Sequence, residues 1–316
     1  MKLPASELYI IYSMSNSPYQ QWQADLLDFS VGFSGQTGTI VRLVSREVGR
    51  RNEPVNPSAV GYTLVTPSYS GLGNPLLRHL VPSLKRWFQG ELHGRFHFYC
   101  LNKALAMQCF LESHPELNEE AMLLWLDPDM IFNQPWEANG SMVRPGHVVG
   151  QSWWGYDPSW CLQQRGENSE AFCPPPQSAI MFPFCISVAD MRRISKTYAS
   201  VSEAIYQRSR DWKSEMYGLV IAIGAGGLQS HALRAFGTCN NWPDEISNDA
   251  SAPISHYTQA ILNRNGSEIW DKRKYTRHTI DRPWQRPPQP EQAASLTDQR
   301  TLRMIHQFID WQTTRG

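Results

Sequence analysis

Residues 122–132 read MLLWLDPDMIF, an apolar run that stops at two aspartates one residue apart, Asp127 and Asp129. A short unbroken apolar stretch is the pattern of a strand buried on both faces, as inside a parallel sheet covered by helices. Two carboxylates do not belong in such a core, because burying an ionised carboxylate without a partner costs several kcal/mol. They belong at the strand's carboxyl end, where open α/β sheets receive ligands. In extended backbone, side chains two residues apart project to the same side, so both acids can approach one cation. Hard oxygen ligands suit Mg²⁺ or Mn²⁺ held against a diphosphate. The plainer reading is an acidic turn punctuated by Pro128, since D-x-D is a common string.

On either side of this stretch, strand and helix patterns alternate. Residues 8–14 and 39–45 read as strands, with a helix over 20–33 between them. Residues 46–75 are rich in Arg, Asn, Pro, Ser and Gly and read as a long loop, with a short strand at 62–65. Helical periodicity marks 76–88 and 103–113, and strands are expected at 147–151 and 178–183. One or two helices follow over 188–208, then another over 212–223 that runs into the glycines of IGAGG. That string lacks G-x-G-x-x-G spacing and follows a helix, so it reads as a helix stop rather than a dinucleotide fingerprint. The alternation predicts an α/β fold with a mainly parallel sheet flanked by helices. Residues 282–293 form a proline-rich linker, and a last helix is expected over 296–311, packed back on the body. The division is therefore one domain over 1–281 with a C-terminal helical extension over 282–316.

Composition excludes some classes. The chain has 316 residues, 41% of them hydrophobic, enough for a proper core. Lys+Arg and Asp+Glu are 29 each, leaving no electrostatic footprint for nucleic acid or an anionic membrane. No apolar run approaches the ~18 residues of a membrane span. Residues 1–14 hold too short an apolar run for a signal peptide, so a cytoplasmic enzyme is expected. The six cysteines are widely spaced without a C-x-x-C pair. Free buried thiols are the expectation there, and a zinc site is not. Trp153, Trp154, Tyr156 and Trp160 form an aromatic cluster, suited either to a sugar-facing wall or to an ordinary core.

Further segments raise the weight of the D-x-D. YQQWQADLLDF begins at Tyr19, LNK at Leu101, DWKSEMYGLVIA at Asp211 and ISHYTQAILNRNGSEIWDKRKY at Ile254. In this order they resemble the plant hydroxyproline O-arabinosyltransferases and the related peptidyl serine α-galactosyltransferases. Those enzymes carry Q-W-Q, N-[KR] before a helix, an acidic strand end, E-M-Y, H-Y and W-x-F-D-K-R-x-Y in the same sequence. The resemblance spans nearly the whole chain. It departs at Asp127-Pro128-Asp129, where the arabinosyltransferases tend to carry E-P-D and the galactosyltransferases D-A-D. It departs again at Ile269-Trp270-Asp271, where W-x-F-D is shortened, and the plant enzymes carry membrane anchors.

The resemblance implies a GT-A-like (Rossmann-like) fold that binds a UDP-sugar with Mn²⁺ or Mg²⁺. The acceptor it implies is a hydroxyl on a peptide, hydroxyproline or serine, with a glycan as the other candidate, and no nucleic acid. Asp129 is then a direct metal ligand, Asp127 a ligand or a holder of the ribose, and His256 completes the coordination shell. Gln21, Trp22 and Gln23, after the first strand, and Asn102 and Lys103, at a helix start, are candidate contacts to the nucleotide-sugar. Lys272 and Arg273 would neutralise the departing phosphates, as a point charge and a fork respectively. Glu215 is the candidate catalytic acid residue, acting on the acceptor hydroxyl, the donor sugar or the oxocarbenium-like centre. Its plainer role is a helix-start carboxylate near Asp211 and Ser214. Two other classes share some of these features. A haloacid-dehalogenase-type phosphatase also has an apolar strand ending in D-x-D, and a non-catalytic nucleotide-sugar-binding protein would retain part of the site.

Overall fold

The computed structural model describes residues 3–46, 55, 57–67, 100–137, 143–164, 175–240, 242–277 and 286–314. The helix expected over 76–88 lies outside the described residues, as does part of the loop over 46–75 and the start of the linker.

The apolar, β-branched runs that read as strands are strands: β1 (Leu8–Ser15), β2 (Thr39–Ser45) and β3 (Tyr62–Thr66). Between the first two lies α1 (Pro18–Ser34). Ser17 caps its first turn by accepting from the Gln20 N–H, and Gly35 ends it at φ +78°, a left-handed conformation that costs glycine little. Next come α2 (Leu101–Ser113), β4 (Met122–Leu126), β5 (Met130–Phe132), β6 (His147–Ser152) and α3 (Pro158–Gln164). The chain continues through β7 (Ile180–Ser187), α4 (Val188–Ser209), α5 (Ser214–Ala225) and β8 (Gln229–Leu233). After these are the short β9 (Gly237–Cys239), β10 (Ile254–His256), β11 (Ile261–Leu262) and β12 (Glu268–Trp270), and lastly α6 (Leu296–Thr313).

The main sheet has seven strands in the order β3-β2-β1-β4-β7-β6-β8. Its pairs are parallel except those of β7, which runs against both β4 and β6. This is the mainly parallel, helix-flanked α/β sheet expected of a GT-A-like fold. Central β4 is buried between β1 and β7, and its Leu123, Leu124, Trp125 and Leu126 are fully enclosed.

A second sheet, ordered β5-β10-β9, is built directly on the end of β4. There β10 pairs antiparallel with β5, setting His256 opposite Met130. A strand from far along the chain is thereby brought beside the two aspartates. Behind this small sheet is a second apolar core, in which Trp22 and Leu26 of α1 meet Ile131, Tyr257, Trp270 and Leu302, Ile305 and Phe308 of α6. Phe29 of α1 meets Phe308 and Trp311 with ring centroids 5.4 Å apart in each pair.

Two expectations are corrected. β7 was expected to end at Pro183 but runs on to Ser187. Proline has no N–H to donate to a ladder, and the register shows how it is accommodated. Gly150 pairs with Phe184 and Gln151 with Met181, so Phe182 and Pro183 stand out of the ladder as a bulge. Of the one or two helices expected over 188–208 there is one, α4, capped by Ser187, whose side chain accepts from the Asp190 N–H. The expectation of free thiols holds at Cys100, Cys109, Cys185 and Cys239, but Cys161 is disulfide-bonded. The glycine string after α5 does end a helix, with Gly227 at φ +65°. Among the described residues, no helix is long and apolar enough to cross a membrane.

Candidate metal centre

Asp127 and Asp129 follow β4 directly, at the carboxyl end of the sheet's central strand. The peptide N–H of Tyr257 donates to the Asp129 backbone carbonyl at 3.1 Å, tying the aspartate loop to the segment after β10. Together these fix three side chains against one another. One carboxylate oxygen of Asp127, one of Asp129 and a ring nitrogen of His256 lie within 4.8 Å of each other, and among the described residues no other group of His, Cys, Asp or Glu meets that test.

The two carboxylates divide their oxygens in the same way. Each has one oxygen turned inward to His256: Asp129 Oδ1 lies 3.1 Å from Nε2, and Asp127 Oδ2 lies 4.0 Å from the same nitrogen. Each has the other oxygen turned outward to a lysine. Lys103 Nζ is 2.5 Å from Asp127 Oδ1, and Lys272 Nζ donates to Asp129 Oδ2. Two oxygens and an imidazole nitrogen thus converge, a donor set that fits Mn²⁺ or Mg²⁺ more naturally than a thiolate-seeking ion.

Electrostatics keeps Asp129 and the two lysines charged. Burial alone would raise the Asp129 carboxyl, but Lys272 and then His256 outweigh it and hold it well below the usual range. Burial works against the Lys103 ammonium, yet Asp127 and Glu215 more than compensate and push it above its ordinary value. Lys272 is likewise raised, with Asp129 overcoming desolvation.

Lys103 is the hinge between the aspartates and Glu215. Its Nζ lies 3.6 Å from Glu215 Oε2 and 4.3 Å from the centre of the Phe182 ring. The bulge at Phe182-Pro183 is what aims that ring, since a β-bulge redirects a side chain out of the ladder. Glu215 is buried in the first turn of α5 and caps nothing: its Oε1 accepts a hydrogen bond from the hydroxyl of Tyr198 in α4. Desolvation raises the Glu215 carboxyl, and Asp127 adds to the effect, against Lys103 and Tyr198. The Tyr198 phenol, enclosed and next to Glu215, is pushed well above its usual value and remains a donor.

Asp127, Asp129, His256, Lys103, Lys272 and Glu215 therefore form one connected set. The other candidates sit elsewhere or do other work. Asn102 is buried beside Lys103 in the first turn of α2. Trp22 is packed in the second core, its ring centroid 6.1 Å from Tyr257 and 6.2 Å from Trp270. Gln21 Nε2 donates to Asp25 Oδ1 at 3.0 Å, and Gln23 Nε2 donates to the Tyr19 carbonyl at 2.8 Å. Arg273 is mostly exposed and forks onto Asp271, its Nε 2.8 Å from Oδ1 and its Nη2 2.7 Å from Oδ2. In the aromatic cluster, Trp153 and Trp160 pack on Tyr217 at 4.5 and 4.1 Å, as a core over α5. Only Trp154 of the tryptophans there is exposed, with the Arg234 guanidinium 5.8 Å from its ring centre.

Four residues at the site were not singled out from the sequence: Tyr198, Phe182, Tyr257 and Tyr19. The Tyr257 ring centre is 5.5 Å from Lys272 Nζ. Burial raises the Tyr19 phenol, and Lys272 is the first group to oppose it. Tyr19 and Tyr257 directly flank Q-Q-W-Q and His256, so their neighbours carried a signal. Tyr198 and Phe182 look like ordinary core residues of a helix and a strand.

No family model and no curated protein matches the sequence. Among solved structures the chain is similar to a galactosyltransferase, LgtC, crystallised with donor and acceptor sugar analogs. That likeness has 12% identity, covers 85% of this chain and 94% of the other, and has a TM-score of 0.39.

Proposed function

We propose that this chain is a metal-dependent glycosyltransferase that moves a sugar from a UDP-sugar to a hydroxyl acceptor. The observation that carries the reading is the division of labour at Asp127 and Asp129. Their inward oxygens converge with His256, while lysines hold their outward ones. A diphosphate leaving group needs that combination of a cation-binding face and adjacent ammonium groups. The ordered Q-W-Q, N-K, E-M-Y, H-Y and D-K-R segments support the same class. They favour arabinose or galactose as the sugar and a peptide hydroxyproline or serine, or else a glycan, as the acceptor.

Asp127, Asp129 and His256 would hold Mn²⁺ or Mg²⁺, which would supply Lewis-acid stabilisation of the charge that develops on the diphosphate. Lys272 and Lys103 add fixed positive charge beside it, already paid for by their pairing with the two acids. In a reaction that retains configuration, the acceptor oxygen bonds to the anomeric carbon on the face the phosphate leaves. The anomeric carbon–phosphate oxygen bond breaks, and the acceptor proton passes to the departing phosphate. Glu215 then serves the positively charged sugar centre and its hydroxyls rather than acting as the base. Its position one lysine away from Asp127 suits that role.

The test is a donor screen by calorimetry and UDP release, with Mn²⁺, without it, and in an Asp129→Ala variant. Metal-dependent binding of one UDP-sugar, with slow UDP release that falls at least ~1000-fold in the variant, is the expected result. Failure of every UDP-sugar to bind, with and without metal, overturns the reading and returns the D-x-D to phosphatase chemistry.

A further inference from the structure

Trp154 is 45% exposed, whereas its neighbour Trp153 is buried. It follows the end of β6, and Arg234 follows the end of β8. β7 runs against both β4 and β6, and β8 is parallel to β6. Both residues therefore lie at the same end of the sheet as Asp127 and Asp129. Two strand spacings separate β6 from β4, about 10 Å across the sheet. The Trp153 ring centroid is 4.5 Å from that of Tyr217, which is two residues along α5 from Glu215. Trp154 is thereby tied to the helical turn that carries the candidate catalytic acid.

The backbone on both sides of Trp154 is fixed. The Trp153 N–H donates to the Ala179 carbonyl at 3.0 Å, and the Tyr156 N–H to the Trp153 carbonyl at 3.2 Å. Gln151 is fully enclosed. Its Nε2 donates to the Arg234 carbonyl at 3.0 Å, and its Oε1 accepts from the Gly237 N–H at 2.6 Å. Phe236 anchors the same turn, with its ring centroid 4.8 Å from Trp136. The turn sets the Arg234 guanidinium 5.8 Å from the centre of the Trp154 ring, and Arg234 Nη2 donates to Glu245 Oε1 at 2.5 Å.

An exposed indole, a guanidinium and a carboxylate side by side match one class of ligand. A sugar ring presents C–H bonds on its face, which the negative face of an indole attracts, and hydroxyls around its edge. Each hydroxyl donates and accepts, whereas arginine has only donors and an ionised glutamate only acceptors, so the pair serves neighbouring hydroxyls of one ring. An ion pair in water contributes little to stability, so turning it to a ligand costs little. An apolar peptide side chain would use the indole but strip water from the charges beside it without replacing those hydrogen bonds.

We propose that the acceptor is a carbohydrate, and that Trp154, Arg234 and Glu245 bind a sugar unit of it beyond the one that reacts. This rests on the transferase reading and narrows its acceptor from peptide or glycan to glycan.

The experiment is an array of immobilised glycans and of hydroxyproline- and serine-containing peptides, probed with labelled protein in saturating UDP and Mn²⁺. Calorimetry then measures the best ligand, and UDP itself, on the same samples. The wild type is expected to bind glycans that share a sugar unit. Trp154→Ala is expected to weaken the best of them at least ~10-fold, the loss typical of an aromatic anchor. Trp154→Phe, which keeps an aromatic face, is expected to stay within ~3-fold of the wild type. Glycan binding undiminished in Trp154→Ala puts the acceptor elsewhere and overturns the inference. So does a wild type that binds UDP but no glycan, or that binds the peptides in place of glycans; these results stand even if the alanine variant fails to fold. Each of them leaves the transferase reading intact, whereas a wild type that binds neither UDP nor any glycan defeats both.

Discussion

Around Arg42, buried charges are turned entirely on one another, whereas around Asp127 and Asp129 they are turned half away. Arg42 is fully enclosed in β2, directly opposite Tyr12 of β1. Its Nε donates to the Tyr12 hydroxyl at 2.8 Å, and its Nη2 to Asp28 Oδ2 at 2.6 Å and Asp25 Oδ1 at 2.9 Å. Tyr12 in turn donates to Asp28 Oδ1 at 2.5 Å, and Ser58 donates to Asp28 Oδ2 at 2.6 Å. Both oxygens of Asp28 are thus consumed within the protein. At the sheet's carboxyl end, each aspartate has a lysine on one oxygen and aims the other at a shared point beside His256. A closed cluster ties β1, β2 and α1 together. An open one keeps ligand atoms in reserve, at the cost of holding like charges near each other.

The largest effect that separates the two is on stability. Arg42→Met leaves Asp28 buried without its cation, and breaking a buried pair in this way is expected to cost about 3–5 kcal/mol. Urea unfolding measures it, and Mn²⁺ should stabilise the variant no more than it stabilises the wild type, so the difference between them persists. Lys272→Met at the open cluster is expected to cost less, and added Mn²⁺ should recover stability, because a ligand that binds only the folded state stabilises it. Equal losses at both positions, neither relieved by metal, would make the acid pair a second structural network and erase the distinction.

Next in size is Glu215→Gln. If Glu215 belongs to the open cluster's chemistry, the variant keeps Mn²⁺-dependent UDP binding and loses turnover at least ~100-fold. Calorimetry and single-turnover kinetics separate the two. Near-normal turnover would move Glu215 to the structural side of the comparison, as the partner that holds Lys103 and Tyr198 in place.

The two clusters also differ in how far the sequence reveals them. The acid end of β4 is legible because an apolar run that stops at charges is a local pattern, and the strand boundaries follow from the same periodicity. His256 and Lys272 could be reached only through the order of distant motifs, since their place beside Asp129 depends on β10 pairing with β5. Lys103 was legible as a candidate, but its bridging of Asp127 and Glu215 depends on three separate elements meeting. Arg42 gives almost no signal: a single arginine in TIVRLVS reads as a strand residue, and its partners come from β1 and α1. Trp22 is a motif residue whose side chain packs in an apolar core, a placement that the motif alone does not reveal. Arg273 reads as free charge in DKRK, but a loop conformation that spacing alone does not determine turns it onto Asp271.

Tyr198→Phe is the finest probe of the open cluster, because it removes one donor and leaves the ring. Burial raises the Glu215 carboxyl, and Asp127 raises it further, while Lys103 and the Tyr198 hydroxyl act in the other direction. Its ionised form is therefore lost at a higher pH than that of an ordinary glutamate. Without the Tyr198 hydroxyl the carboxyl rises again, so the acid limb of the kcat profile moves to higher pH. The rate near neutrality falls ~10-fold or less, the scale of one hydrogen bond to a charged group, and recovers as pH increases. A hydroxyl that only braces α4 against α5 predicts something else, a rate lowered equally at every pH with the limb in place. Movement of the limb would assign Tyr198 as a positioning residue for an ionised Glu215. A fixed limb would leave the Tyr198–Glu215 contact as packing, as closed in character as the cluster around Arg42.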